Sequence, residues 1–212
     1  MSIFVAKLGG SLAFSPQREA WLAALAASVR PLILVAGGGP FAEAVRAAQP
    51  RMGFDDVAAH RLALLAMEQF AVILASHSDR FVLASSREDI KAALEAARIP
   101  VWLPSAMTLS AAQIPASWDA TSDSLAAWLA GLVGARRLLL IKSFDLERPA
   151  TAAELAERQI IDPLFPRFAA QSGALVSVAG PASLPFAREI LKSGGAPGMV
   201  VMREAADVPA PA

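Results

Sequence analysis

The chain contains no cysteine and only two histidines in 212 residues. Disulfides, a thiolate nucleophile and Cys-based metal sites are therefore excluded, and a His-rich metal centre is not expected. A chain without cysteine suits a reducing compartment, so the cytoplasm is the expected location. The first residues hold no basic segment leading into an apolar stretch, so no signal peptide is expected. No run of about 18 apolar residues appears, and no membrane partner is expected. The chain also lacks an excess of charge of either sign: 19 Lys and Arg balance 19 Asp and Glu, which argues against a nucleic-acid surface. What is abundant is apolar. With 55% hydrophobic residues the chain can bury a large core as one domain over residues 1–212, and its expected partners are small molecules.

Short apolar runs alternate with longer alanine-rich segments, the pattern of parallel strands joined by crossover helices. Strands are expected at 3–9, 30–37, 81–85, 99–105, 136–143, 174–180 and 198–203, with helices at 16–29, 40–48, 55–76, 87–97, 122–134, 152–158, 162–171 and 183–193. The fold class is α/β. Ser86 and Asp89 in "SRED" form a candidate capping box. The run "LALLAMEQFAVILA" at 62–75 is too apolar for an exposed helix and is expected to be buried, against the core or a second subunit. The terminal "ADVPAPA" reads as a frayed tail.

Two glycine clusters sit at strand ends. In "VAKLGGSLAF" a lysine, Lys7, precedes Gly9, Gly10 and Ser11; in "VAGGGPFAEAVR", Gly37, Gly38 and Gly39 precede Pro40, which suits a first helical turn. Glycines let a ligand approach the backbone, and a lysine or a helix N-terminus beside them suits an anion. In an open parallel sheet, ligands gather at the carboxyl ends of the strands, where both clusters fall. Neither cluster matches the P-loop or the dinucleotide fingerprint. Further on, "SWDATSDSLAAWLAGLVGARRLLLIK" opens a helix with Thr121, Ser122, Asp123 and Ser124 and ends a strand at Lys142. Ser122 or Asp123 serves there as a helix N-cap, or Asp123 holds lysine ammonium groups around a transferring phosphoryl group.

"KLGGSL", "AGGGPF" and "ATSDSLAAWLA" before "LLLIK" resemble, in order and spacing, the amino acid kinase superfamily over about 145 residues. Within it, "WLPSAMTL", "HRLALLAME" and "IIDPLFPRFAAQSGALVSVAG" are similar to the [5-(aminomethyl)furan-3-yl]methyl phosphate kinases of methanofuran biosynthesis. The resemblance implies a three-layer α/β/α sandwich, with acceptor binding in 1–135 and nucleotide binding in 136–212. It implies ATP with Mg²⁺ as cofactors, a small phosphate acceptor as partner, and a homo-oligomer. By the same resemblance Lys7 stabilises the phosphoryl group in flight, and Asp123 orients Lys7 and its companions. Gly9, Gly10 and Ser11 then contact the ATP phosphates, with Lys142, Ser143 and Asp145 on the nucleotide. Gly37, Gly38, Gly39, Trp118, Thr121 and Ser122 bind the acceptor, and no protein metal ligand is assigned. The chain departs from the pattern at "IKSFDLER", where superfamily members carry a "TDVDG"-like turn, and at Met199, where threonine is common. A changed donor, a Lys142 contact to phosphate, or a non-catalytic binding member are the readings these departures leave open.

The remaining polar residues read as structural. His60 and His77 lie in or beside a helix, Lys192 either favours a helix C-terminus or reaches an ATP phosphate, and Trp118 either packs in the core or stacks on an aromatic acceptor.

Overall fold

The computed structural model describes residues 2–203, so the tail "ADVPAPA" lies outside the described residues. Strands β1 (Phe4–Leu8), β2 (Leu32–Ala36), β3 (Phe81–Ala84), β4 (Ile99–Trp102), β5 (Arg137–Ile141), β6 (Leu175–Ala179) and β7 (Met199–Val200) form one sheet in the order β3-β4-β2-β1-β5-β6-β7. Neighbours are parallel except β6 and β7. The helices are α1 (Gln17–Ala26), α2 (Gly39–Met52), α3 (Asp56–Ala75), α4 (Arg87–Glu95), α5 (Ser105–Thr108), α6 (Ser122–Leu132), α7 (Ala152–Glu157), α8 (Phe165–Ser172) and α9 (Leu184–Lys192). Every expected strand and helix is present. The Ser86–Asp89 capping box starts α4 as read from the sequence.

One helix is not among those expected, and two helix boundaries differ for physical reasons. Helix α5 is a single turn, too short to show a period. Helix α2 runs past the expected residue 48, carries Pro50 in its last turn and stops at Gly53, whose φ of 71° only glycine adopts freely. The helix expected from 162 begins at Phe165 instead, because Pro163 breaks the run and the Asp162 carboxylate is bonded to α6.

Alternation along β1 sorts side chains between two cores. Phe4, Ala6 and Leu8 face one core with Trp21 and Leu25 of α1 and Leu191 of α9. Val5 faces the other, with Leu125 and Leu129 of α6 and Phe168 of α8. Lys7 follows the Val5 parity and so emerges at the carboxyl end of the sheet on the α6 side. Helices on both faces make the three layers. Helix α3 contributes Leu64 and Met67 to one core and Phe70 and Leu74 to the other. It is long and apolar enough to cross a membrane by length and composition. Its buried stripe belongs to the core, while Leu62, Leu65, Val72 and Ile73 are exposed, so the expectation of burial holds for one face only.

Candidate active site

Because the chain builds β2, β3 and β4 on one side of β1 and then crosses to β5 on the other, the strand order switches at β1 and a crevice opens at the carboxyl ends of β1 and β5. Lys7, at the exit of β1, and Lys142, immediately after β5, converge there on the N-terminus of α6. The Lys7 ammonium lies 2.9 Å from Asp123 Oδ1 and that of Lys142 2.6 Å from Oδ2. All three side chains are buried. Lys142 Nζ also donates to the Ile160 carbonyl at 2.9 Å. Burial alone would raise the Asp123 carboxyl, but the two ammonium groups outweigh it and hold it at about 2. Burial lowers the Lys7 ammonium, and the Asp123 charge opposes that shift. The cluster is a fixed pair of cations on one carboxylate, carrying one net positive charge.

The N-cap of α6 is Thr121, not Ser122 or Asp123, and its side chain makes no capping bond to its own helix. Asp162, from the loop after α7, takes that role. Its Oδ2 accepts from the Thr121 amide at 3.0 Å, the Thr121 hydroxyl at 2.7 Å and the Ser124 amide at 3.0 Å; its Oδ1 accepts from the Ser124 hydroxyl. Burial and then the nearby Asp123 charge raise the Asp162 carboxyl, while the donors from Ser124 and Thr121 oppose the shift. One loop therefore holds both Lys142, through Ile160, and the start of α6, through Asp162. The sequence reading missed Asp162; its only signal was "IIDPLF", an acid before a proline between two apolar runs.

The glycine clusters lie side by side. A Cβ on Gly10 would overlap the Gly39 backbone, and one on Gly37 would overlap the Gly10 backbone. These two glycines are thus needed for loop-to-loop packing, in addition to any ligand they admit. Gly38 points its missing Cβ at Ala42 within α2, and Gly39 has a φ of 55° at the first residue of that helix. A Cβ on Gly9 would come within 2.8 Å of the Ile141 carbonyl. Ser11 and Ser143 meet across the crevice, hydroxyl to hydroxyl, at 3.1 Å.

Two cavities adjoin the segments that carry the lysine cluster: Thr121 and Ser122, just before Asp123, line one, and Asp145, three residues after Lys142, lines the other. The first, of about 190 Å³, is bounded by Gly10, Ser11, Gly38 and Gly39 at one end, by Thr121 and Ser122 at its side, and by Leu64, Met67 and Leu125. Trp118 and the buried His60 also line it, and burial lowers the His60 imidazole. Trp118 is bound at its edge, where the indole N–H donates to Gln49 at 2.7 Å, and on one face, where the Arg46 guanidinium sits 4.4 Å from the ring centroid. The second cavity, of about 400 Å³, is lined by Asp145, Leu146, Phe186, Ile190, Gly198 and Met199. Asp145 accepts from the Ala182 amide at 3.0 Å at the turn after β6. Lys192 is outside both cavities and pairs with Glu189 at 3.1 Å. His77 follows α3 and lines neither. Among the described residues, no three His, Asp or Glu side chains gather as metal ligands.

A parallel sheet with both faces covered, a glycine-lined crevice and a two-lysine, one-aspartate cluster define the amino acid kinase fold. Solved structures with that fold superpose over nearly the whole chain. Uridylate kinase from Archaeoglobus fulgidus aligns with a TM-score of 0.70 at 17% identity, covering 95% of this chain and 100% of its own. UMP kinase from Bacillus anthracis gives 0.68 at 14%, covering 96% of each chain. In sequence, a [5-(aminomethyl)furan-3-yl]methyl phosphate kinase from Methanocaldococcus jannaschii is 27% identical over 144 residues, 66% of this chain and 66% of that protein. No protein-family model matches. The relative and the structural neighbours are all members of the amino acid kinase superfamily, and the chain resembles the relative in sequence and the solved structures in fold.

Proposed function

We propose that this chain is an ATP-dependent kinase that phosphorylates a small phosphate monoester to a diphosphate, with an aminomethylfuran phosphate as the acceptor, in the synthesis of a one-carbon carrier. The observation that carries the reading is the Lys7–Asp123–Lys142 cluster at the carboxyl end of the sheet, where Thr121 and Ser122 beside Asp123 line one cavity and Asp145 shortly after Lys142 lines another. Phosphoryl transfer needs little covalent help from protein; it needs the two phosphates positioned and the charge on the equatorial oxygens neutralised.

In this mechanism an acceptor phosphate oxygen in the 190 Å³ cavity attacks the γ-phosphorus. The bond from that phosphorus to the β–γ bridging oxygen breaks, and ADP leaves with the electron pair. Lys7 meets the charge of the transferring group, Asp123 keeps both ammonium groups aimed, and Lys142 braces the carboxylate from behind. The amide groups at the Gly37–Gly39 start of α2 receive the acceptor, and Ser11 and Ser143 face the junction of the two substrates. The 400 Å³ cavity has the chemistry for a nucleotide: an apolar lining from Leu146, Phe186 and Met199 for a base, with Asp145 fixing the adjoining turn. Mg²⁺ bound through ATP phosphates supplies further charge neutralisation, and such an ion needs no all-protein cage. On this reading the protein works in the cytoplasm as a homo-oligomer.

The test is ADP release with Mg-ATP and a panel of acceptors: [5-(aminomethyl)furan-3-yl]methyl phosphate, UMP and an isoprenoid monophosphate. The first is expected to turn over fastest. No calorimetric binding of Mg-ATP would sink the kinase reading and favour a small-molecule binding protein, the alternative that "IKSFDLER" leaves open.

A further inference from the structure

Two charged side chains at the mouth of the acceptor cavity have no counterpart in the chemistry above. Glu43 and Arg46 both line it, three residues apart on α2. Opposite charges three or four residues apart ordinarily meet on a helix surface. Elsewhere on the molecule they do: Lys91 reaches Glu95 on α4, and Lys192 reaches Glu189 on α9. Glu43 and Arg46 do not; neither has an ion-pair partner within 4.0 Å among the described residues. The guanidinium is instead drawn over the Trp118 ring, and that ring is held by Gln49. Stacking commits the guanidinium to the ring, so that Arg46 and Trp118 together make one flat wall of the cavity. The Glu43 carboxylate is left with no internal cation, at the entrance to a cavity whose inner end is built from helix-terminal amides and glycines.

A carboxylate there is a liability if the ligand is purely anionic, because it repels the incoming phosphate. It becomes an asset if the ligand also carries a cation. We infer that Glu43 and Arg46 select a zwitterionic acceptor whose phosphate sits at the glycine end of the cavity, with Glu43 on an ammonium group at the other end of a small flat body and the Arg46-backed Trp118 ring against that body. The unpaired carboxylate beside the Trp118-stacked guanidinium carries this assignment. It rests on the acceptor-site reading above and narrows it. A nucleoside or isoprenoid monophosphate offers no cation to Glu43 and would meet only its repulsion. The apolar floor of Leu64, Met67 and Leu125 matches the body between the two charges.

The test is calorimetric binding to the full, nucleotide-free chain, so that it does not depend on turnover. The probes are [5-(aminomethyl)furan-3-yl]methyl phosphate and its counterpart with hydroxymethyl in place of aminomethyl. A charge-assisted contact is worth roughly 1.5–3 kcal/mol, so its loss corresponds to about tenfold or more in Kd. Glu43→Gln is expected to weaken the amine probe by about that factor and to leave the hydroxyl probe unchanged or tighter. Arg46→Gln is expected to weaken both. Both residues are exposed, so both variants should melt with the wild type. Equal effects of Glu43→Gln on the two probes, or no effect on either, would overturn the inference. So would a wild-type protein that binds the hydroxyl probe as tightly as the amine. Tight, Glu43-dependent binding of the amine probe without ADP release would leave the inference standing and sink the kinase reading alone.

Discussion

Lys7 is buried, yet it stays on the mechanism's path because its only carboxylate is shared. Asp123 gives one oxygen to Lys7 and the other to Lys142, so removing Lys7 leaves the carboxylate paired with Lys142 at 2.6 Å and only its Oδ1 without a cation. Lys7→Ala should therefore fold and melt within a few degrees of the wild type while losing roughly two or more powers of ten in kcat, the cost of deleting a preorganised charge. Wild-type turnover would remove Lys7 from the mechanism. Asp123 yields a pH prediction. Its carboxyl titrates near 2 in the folded chain against an ordinary 3.8. A depressed acid contributes stability that is complete above the ordinary value and is lost as the pH falls toward 2, roughly 2–3 kcal/mol over that window. Urea melts between pH 5 and pH 2 should show this loss. In Asp123→Asn the acid-side slope should flatten on a lower baseline, because two buried ammonium groups then lack their counter-charge. An unchanged slope would mean that the ion pair adds nothing to folding. Lys7 and Asp123 were legible because an ion beside glycines and an acid at a helix start have few other uses. Asp162 was not, since its partners Thr121 and Ser124 lie some forty positions away and no local spacing records them. Arg46 and Glu43 were hidden as well, because exposed charges on an amphipathic helix look alike until the cavity they border is known.

At the scale of the element, the start of α6 is capped from outside. Thr121 gives its hydroxyl to Asp162 in place of its own helix, so the position of Asp123 depends on the loop after α7. Asp162→Ala removes four bonds, two of them from amides at the helix start, and should lower stability by about 1–3 kcal/mol while reducing kcat more than acceptor KM. Asp162→Asn should restore most of both, because an amide oxygen can accept from the three donors on Oδ2 and a serine hydroxyl can turn to accept from the amide nitrogen. A simple cap would lower the melting temperature in the alanine variant without touching kcat. The glycine loops point the other way. Gly38→Ala would set a methyl against Ala42 inside α2 and disturb the helix start itself, so its expected signature is a stability loss together with a raised acceptor KM. The strands and long helices were legible because their periods are local. The packing of Gly10 on Gly39 was not, since a glycine run reads the same whether its neighbour is a ligand or another backbone.

At the scale of the whole molecule, both cores are closed, yet one apolar surface is left without cover. Leu62, Leu65, Val72 and Ile73 recur on the outer face of α3 at helical spacing, each 40% exposed or more. Arg61 and Gln69 are the exposed polar residues among them. The inner face of the same helix supplies Leu64, Met67, Phe70 and Leu74 to the cores, which explains why the sequence reads as apolar all round. The homo-oligomer proposed above would use this stripe, a two-fold pairing placing one α3 against another so that each self-complementary face covers its copy. Because α3 also lines the acceptor cavity through His60, Leu64 and Met67, pairing would steady one wall of the site without entering it. Leu65→Asp with Val72→Asp should give a monomer by light scattering at concentrations where the wild type is larger. The change touches neither the lysine cluster nor the cavity lining, so acceptor binding should persist, weakened by a few-fold at most. A wild-type monomer, or a double variant of unchanged size, would show that the α3 face is merely solvent-exposed. An unfolded double variant would instead return the stripe to the core, and a milder Leu65→Ser with Val72→Ser pair, measured the same way, would separate that outcome from loss of an interface.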